Sequence, residues 1–430
     1  MEDVSLTALG PSCFGILNDY SSLESQLFQY CKWLYIKEKK MELLIVPRLD
    51  LQVISKVRVF QDDPSNHFRS LVVPLCIGQG PLRYAVLSLS ANDRRGETSV
   101  DYGQLALSYK SQSLRLLRES LAGMDHANEA LMTCLILCSL EIACGSRTDW
   151  VRHARGAFAI INNFADMVDP QILFFVYSYF QSRTIFFLTT SASGQLNEAT
   201  TATNTTHANT SELHDASNLK LDFDQLCTNR MRIQPHMGCS LGLLELIAQT
   251  TRLVQRKRQQ RQSGRNSLTN KEDIRSRAMS IRSQLESLVE ENPSGNDYLA
   301  TCAECFRVAA DLFLQLACDV PLHQVFLQEK LCYLLGRIGR VVYEGQERQL
   351  FPMWPLFLAG CLSSSDEDRL RVLDYFAVLS QQWPISNIPV VREATETIWK
   401  SRDLNPDSKS RDGFDWQVII EQMNWKLALS

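Results

Sequence analysis

The chain has 430 residues, 45% apolar and 21% charged, a formal net charge of −4 and 13 cysteines. That balance excludes a disordered or fibrous polypeptide, and the acidic surplus excludes recognition of nucleic acid through an overall positive field, leaving only a local basic patch. A chain of this length exceeds what single cores usually reach, so several sub-domains or one extended helical array are expected.

The start "MEDVSLTALGPSCFG" lacks the basic and apolar regions of a secretory signal. Residues 1–59 read as a helical segment; the one tempting strand pattern, "LIVPRLDLQVISKVRVF", is interrupted by Pro47 and reads equally well as a helix. From there the apolar spacing is helical nearly everywhere. Leu107, Leu114, Leu117 and Leu121 line one helix face. The most apolar stretches, "LMTCLILCSLEIACG" and "ILFFVYSYFQSRTIFFL", are broken by Glu141 and by Gln181, Ser182 and Arg183 before a membrane span of about 20 apolar residues accumulates. They are predicted to be buried core helices, with no membrane partner.

Between 189 and 218 the composition changes to Ser, Thr, Asn and Ala, which predicts a disordered insertion or long loop. The run "RLVQRKRQQRQSGR", Arg252 to Arg265, is the only basic patch; it carries no aromatic residue for base stacking and is expected to be a solvated, mobile charge run or an import signal. Helical periodicity resumes with Leu331, Leu334, Leu335, Ile338 and Val342, and again with Trp416, Ile419, Ile420, Met423 and Leu427. The expected fold is all-α, a multi-helix array of packed helical hairpins, divided into residues 1–59, 60–188, the insertion 189–218, and 219–430.

The chemistry-bearing residues favour architecture over catalysis. Six cysteines around two zinc ions would need two close CxxC pairs, whereas this chain has one, Cys302 and Cys305, a single helical turn apart and suited to core packing. Cys318 and Cys332 follow at the wrong distance, and the odd cysteine count, with Cys134, Cys138, Cys318, Cys332 and Cys361 among apolar neighbours, predicts reduced, buried thiols. Asp62 and Asp63, or Asp366, Glu367 and Asp368, would serve a magnesium-dependent terpene cyclase only with a second ligand set. Ser365 ahead of Asp368 reads instead as a helix cap. His153 reads as a structural histidine on a helix whose Gly156 and Ala157 permit close helix approach, and none of the 7 histidines has a nucleophile in a local motif. In "FPMWPLFLAGCLSSSDEDRLRVL", Pro352 and Pro355 separate two helices, and Ala359, Gly360 and Cys361 leave a notch for a neighbour.

Several stretches together resemble one family, the regulatory domain of fungal-specific transcription factors that commonly follows a six-cysteine zinc cluster. They are "DDPSNHFRSLVVPLCIGQGPLRYAVLSLSANDRR", "SYKSQSLRLLRESLAG", "ALMTCLILCSLEIACGSRTDWVRHARGAFAIINNF", and the Phe351–Leu373 stretch continued to "FDWQVIIEQMNWKLALS", covering most of Phe60 to Ser430. The resemblance implies a nuclear, non-enzymatic, helical regulator. The zinc cluster itself is missing from this chain, so no residue is assigned to sequence-specific DNA binding, and none to catalysis, a cofactor or a metal. The expected partners are other transcription factors or co-regulators, a small-molecule effector, DNA only indirectly, and a second copy as a homodimer. The rival expectation is an all-α enzyme of secondary metabolism.

Overall fold

The computed structural model describes residues 66–429 apart from 77–78, 96–100, 124–125, 193–228, 263–267, 318–323, 346–349, 383–386 and 405–413. The expected N-terminal helix, Asp62, Asp63 and Cys318 lie outside the described residues, as does the expected loop from residue 193 onward. Everything regular among the described residues is helical. After an entry turn at Phe68–Val72, the N-terminal half comprises α1 (Pro81–Asp93), α2 (Tyr102–Gly123), α3 (Ala127–Ala143), α4 (Trp150–Phe164) and α5 (Pro170–Leu188). The C-terminal half comprises α6 (Leu241–Gln262), α7 (Leu268–Ser287), α8 (Asp297–Ala317), α9 (Gln324–Glu344), α10 (Met353–Leu362), α11 (Asp366–Gln382), α12 (Ile388–Leu404) and α13 (Asp415–Gln422). Sequential helices pack in pairs, α1 on α2, α3 on α4, α6 on α7 and α8 on α9.

The two most apolar stretches become α3 and α5, buried around nearly their whole circumference, as helices without a polar face must be. Helix α5 begins at Pro170, where proline's missing N–H costs nothing, and Asp169 caps it by accepting from the Gln171 and Ile172 amides at 2.8 and 3.3 Å. Its length serves two cores. Phe175, Tyr179 and Phe187 belong to the N-terminal core, while Ile185 and Phe186 belong to the C-terminal one.

Helix α2 turns a different face inward from the one its leucines predict. It buries Tyr102, Ala106, Tyr109, Ser113 and Leu117 and leaves Leu107, Leu114 and Leu121 exposed. Small residues decide this, because Ala106 and Ser113 let the α1 backbone approach. Ser113 Oγ then donates to the Pro81 carbonyl at 2.8 Å, and Ser88 Oγ of α1 donates to the Ala106 carbonyl at 2.7 Å. A buried hydroxyl with a partner is no penalty. On α9 the predicted face is the buried one, with Leu331, Leu334, Leu335, Ile338 and Val342 all inside, and Cys332 on the opposite side is exposed against expectation.

The first residues of the expected loop are also inside. Thr189, Thr190 and Ser191 are buried, because their hydroxyls need not face water when the end of a helix offers carbonyl acceptors. Thr189 Oγ1 donates to the Phe186 carbonyl at 2.6 Å and Thr190 Oγ1 to that of Phe187 at 2.7 Å. Thr189 also receives the C-terminal half: Trp354 Nε1 donates to its hydroxyl at 2.9 Å, and Gln417 Nε2 and Trp416 Nε1 donate to its carbonyl at 2.8 and 3.3 Å. Trp354 lies in a stack with Phe186 and Phe306, at centroid distances of 5.3 and 6.3 Å, with Phe313 edge-on at 6.1 Å.

The chain end closes the same joint from the other side. Helix α13 stops where Asn424 takes a left-handed conformation, φ 51°, a standard helix terminator, so the apolar repeat reaches Leu427 as non-helical chain. Lys426 N–H donates to the Arg147 carbonyl and Trp150 Nε1 donates to the Lys426 carbonyl, each at 2.7 Å. Ala428 then enters the N-terminal core, while Leu427 and Leu429 enter the C-terminal one.

The proline and small-residue grammar at 351–373 is architectural. Pro352 precedes α10, whose Gly360 faces α12 closely enough that an added Cβ would stand 2.7 Å from Thr395 Cγ2. Trp399 Nε1 of α12 donates to the Gly360 carbonyl at 2.9 Å. Gly156 is different: an added Cβ would meet only Cys134 Sγ, at 3.8 Å, an ordinary contact, so close approach of α4 and α3 does not require glycine there.

Two glycine substitutions should therefore differ in sign. Gly360→Leu is expected to lower stability by about 1 to 3 kcal/mol through overpacking against Thr395, and Gly156→Ala to raise it by about 0.5 to 1 kcal/mol by removing helix-interior glycine. Urea unfolding of both variants beside the parent measures this. By the same method Thr189→Val should cost about 1 to 3 kcal/mol, since it leaves the buried Trp354 N–H without its acceptor; an unchanged midpoint would refute the assigned joint.

Candidate functional site

Ser365 is the cap that its sequence implies: the Asp368 amide donates to Ser365 Oγ at 3.2 Å, and Ser365 Oγ donates to Asp368 Oδ2 at 2.8 Å. Asp366 and Glu367 point outward from the first turn of α11, where the helix dipole favours negative charge. Asp368 turns inward to accept from Gln328 Nε2 of α9 at 2.7 Å. The three acids therefore diverge rather than converge on one cation.

Cys302 and Cys305 are both fully buried on α8. Burial pushes both thiols up, Cys305 to about 12 and Cys302 well above its usual value. Cys361 is pushed up by burial as well, with the nearby Arg402 acting only weakly the other way. A thiol held protonated is neither a nucleophile nor a ready metal ligand. Among the described residues, no group of three His, Cys, Asp or Glu side chains is placed to hold a metal ion.

His153 of α4 meets Glu141 of α3, Nε2 to Oε1 at 3.5 Å, and Lys110 of α2 reaches the same oxygen at 2.6 Å. Burial alone would raise the Glu141 carboxyl, but the hydrogen bonds and charges of His153 and Lys110 hold it below its usual range. The carboxylate thus ties three helices together, the structural role expected for His153.

One pair was invisible in the sequence. Ser178 of α5 and His236 are 58 positions apart, yet Ser178 Oγ and His236 Nε2 lie 2.9 Å apart. Serine beside histidine is the beginning of a nucleophile and its base. Here the Phe175 carbonyl offers Ser178 Oγ a second acceptor at 3.0 Å; a hydroxyl that donates there accepts from Nε2–H, and a ring protonated on that nitrogen is no base toward it. Both residues are buried, and the Phe175 ring stands edge-on to His236 at 5.2 Å. The pair fastens the segment after residue 228 to α5.

The basic run is structured in large part. Helix α6 continues through it to Gln262, and two of its cations turn inward. Lys257 Nζ donates to the carbonyl of Ala317, the last residue of α8, at 3.1 Å; Arg258 Nη2 donates to the Phe414 carbonyl at 3.2 Å. Arg252 and Arg256 remain on the surface. The expectation of a mobile, solvated run is corrected to this extent: long basic side chains can bury their stems where backbone carbonyls, here one at the end of α8 and one at the entry to α13, accept from the head group.

The buried His236 ring makes stability pH-dependent. Burial holds its pKa well below 6.5, helped by His67 and Arg183 nearby, whereas in the unfolded chain it protonates near 6.5. The unfolded state therefore binds the extra proton first as the pH falls. This residue's contribution is complete above pH 6.5 and is lost at up to about 1.4 kcal/mol per pH unit below it, until the folded ring itself protonates. Melting curves between pH 7.5 and 5 should show a shallower acid decline for His236→Gln than for the parent; parallel declines would count against the buried neutral ring.

Among the described residues no helix is long and apolar enough to cross a membrane. No curated protein and no solved structure matches the chain. Its sequence does match a family model, that of the fungal specific transcription factor domain, over residues 51–430. This agrees with an all-helical fold whose polar clusters serve packing, and with the order of motifs from Phe60 onward: the chain belongs to the family of fungal specific transcription factor domains.

Proposed function

We propose that this chain is a fungal transcriptional regulator, not an enzyme, that acts in the nucleus through a small-molecule effector or through contacts with other transcription factors and co-regulators, and reaches DNA only indirectly. Family membership supports the regulatory role. The observation that carries the indirect route is the use of the basic run: Lys257 and Arg258 are engaged by carbonyls of α8 and of the α13 entry. Among the described side chains of the run, Arg252 and Arg256, one turn apart, are the cations left outward, and two are too few to track a phosphate backbone, where affinity rises with each neutralised phosphate. The candidates among the described residues support the same reading: Cys302, Cys305 and Cys361 are buried and held protonated, Ser365 and Asp368 form a helix cap, and Asp366 and Glu367 point away from Asp368 into solvent.

The purified chain is expected to bind random DNA duplexes weakly, with Kd no tighter than about 1 µM at physiological salt, and without sequence preference. Selection from a randomised duplex pool measures this, and recovery of a defined motif would overturn the indirect route. Fused to an unrelated DNA-binding domain, the chain should change transcription from a reporter carrying that domain's site; an inert fusion would overturn the regulatory reading.

A further inference from the structure

Helices α6 and α7 form a hairpin with a cleft of about 250 Å³ between them. Gln249, Arg252, Leu253 and Arg256 line it from α6; Arg277, Ser280 and Ile281 line it from α7. The spacing on both helices, three to four residues apart, places each set on one face. Leu253 and Ile281 are buried members of the C-terminal core and form an apolar floor. Three guanidinium groups and the Ser280 hydroxyl stand at that floor, and no acid lines the cleft.

The arginines are only partly engaged. Arg252 gives Nη1 to Glu245 at 3.3 Å, and Arg277 gives Nε to both oxygens of Asp273 at 2.9 Å. Their side chains remain about half exposed, 52% and 50%, and no ion pair joins Arg256 to any described residue. Each guanidinium carries five N–H donors in a planar fork suited to carboxylates and phosphates, so most of the donors on this rim are free to meet a ligand. Glu245 and Asp273 each engage part of one guanidinium, but the lining itself presents only cationic and neutral polar groups around its apolar recess.

The geometry points to a binding site for a small organic anion, with one carboxylate, sulfonate or phosphate head held by Arg252, Arg256 and Arg277 and a short apolar body resting on Leu253 and Ile281. The volume lies just under the range that holds drug-sized ligands and suits a metabolite-sized molecule. The lining holds no aromatic side chain on which bases could stack, and its cations converge on one recess instead of following a line, which separates it from a nucleic-acid groove. A head group gripped from both helices would brace the hairpin, and α6 in turn packs on α5 and α8, so occupancy is coupled to the joint between the two cores. This rests on the reading of the chain as an effector-responsive regulator and supplies the class of effector.

The test uses the full chain and 8-anilinonaphthalene-1-sulfonate, an aryl sulfonate that fluoresces when its rings leave water. Binding should saturate, and octanoate should displace the probe. Arg256→Gln should weaken it by about tenfold or more, the size expected for loss of one charge-assisted contact. Arg118→Gln, a surface change on α2, should leave it unchanged. No described residue forms an ion pair with Arg256, so its variant should keep the parent's melting temperature, which is measured alongside. Inorganic phosphate alone should compete less well than octanoate, reflecting the apolar floor. Probe binding that survives Arg252→Gln, Arg256→Gln and Arg277→Gln tested singly, or falls equally in Arg118→Gln, would overturn the site. Displacement by a short random DNA duplex at lower concentration than octanoate would overturn the small-anion class in favour of a polymer. An active reporter fusion beside a failed probe experiment would remove only this cleft, whereas an inert fusion would remove the regulatory reading whatever the probe does.

Discussion

The architecture depends on one joint, where the end of α5 meets the α10 tryptophan. Helix α5 is too apolar on all sides to tolerate water, so protein must cover it completely, and two separate groups of helices do so. Phe186 stacks against Trp354 at 5.3 Å while its neighbour Phe187 packs into the opposite core. An aromatic pair of this kind contributes about 0.5 to 1.5 kcal/mol beyond the area it buries. The hydroxyl and carbonyl of Thr189 then fix the register, because two buried indoles and a buried amide donate to them. A helical array built only from apolar surfaces would be free to slide; three directional donors on one threonine prevent it.

The remaining polar interior follows the same logic. Glu141 binds α2, α3 and α4 through Lys110 and His153, Ser178 with His236 fastens α5 to the segment that precedes α6, and Arg402 joins α12 to α13 through two 2.5 Å contacts with Asp415. Each arrangement contains groups that would be catalytic in an open, hydrated cleft. Paired with one another inside or at the edge of the core, they specify which helix lies beside which. Residues that look chemical in a sequence thus become structural once their second partner is known, and this is why the regulatory reading is better supported than an enzymatic one.

A link between the arginine cleft and this joint is short in structural terms. The cleft lies on α6, and α6 touches both α5 and α8 while Lys257 in the same helix holds the last carbonyl of α8. A ligand can shift an equilibrium only by its differential affinity for two states, and an anion that contacts α6 and α7 together has such a difference wherever the hairpin spacing changes.

What the sequence determined by itself is local. The helical period, the all-round apolar character of α3 and α5, the Ser365 cap, the Pro352 break and the small notch at Gly360 depend on near neighbours, and each was legible before any packing was known. The tertiary structure decided what depends on partners distant in the chain. It chose Ala106 and Ser113 over Leu107 and Leu114 as the buried face of α2, because close backbone approach to α1 rewards small residues more than large apolar ones. It buried Thr189 in what reads as a polar loop, since a satisfied hydroxyl carries no burial penalty. It divided the basic run between inward donors and an outward cleft, and it brought Ser178 to His236 and Arg277 to Arg256. Composition and periodicity report how a side chain relates to its own helix; only the docking of one helix on another settles which carbonyl, ring or cation it will meet.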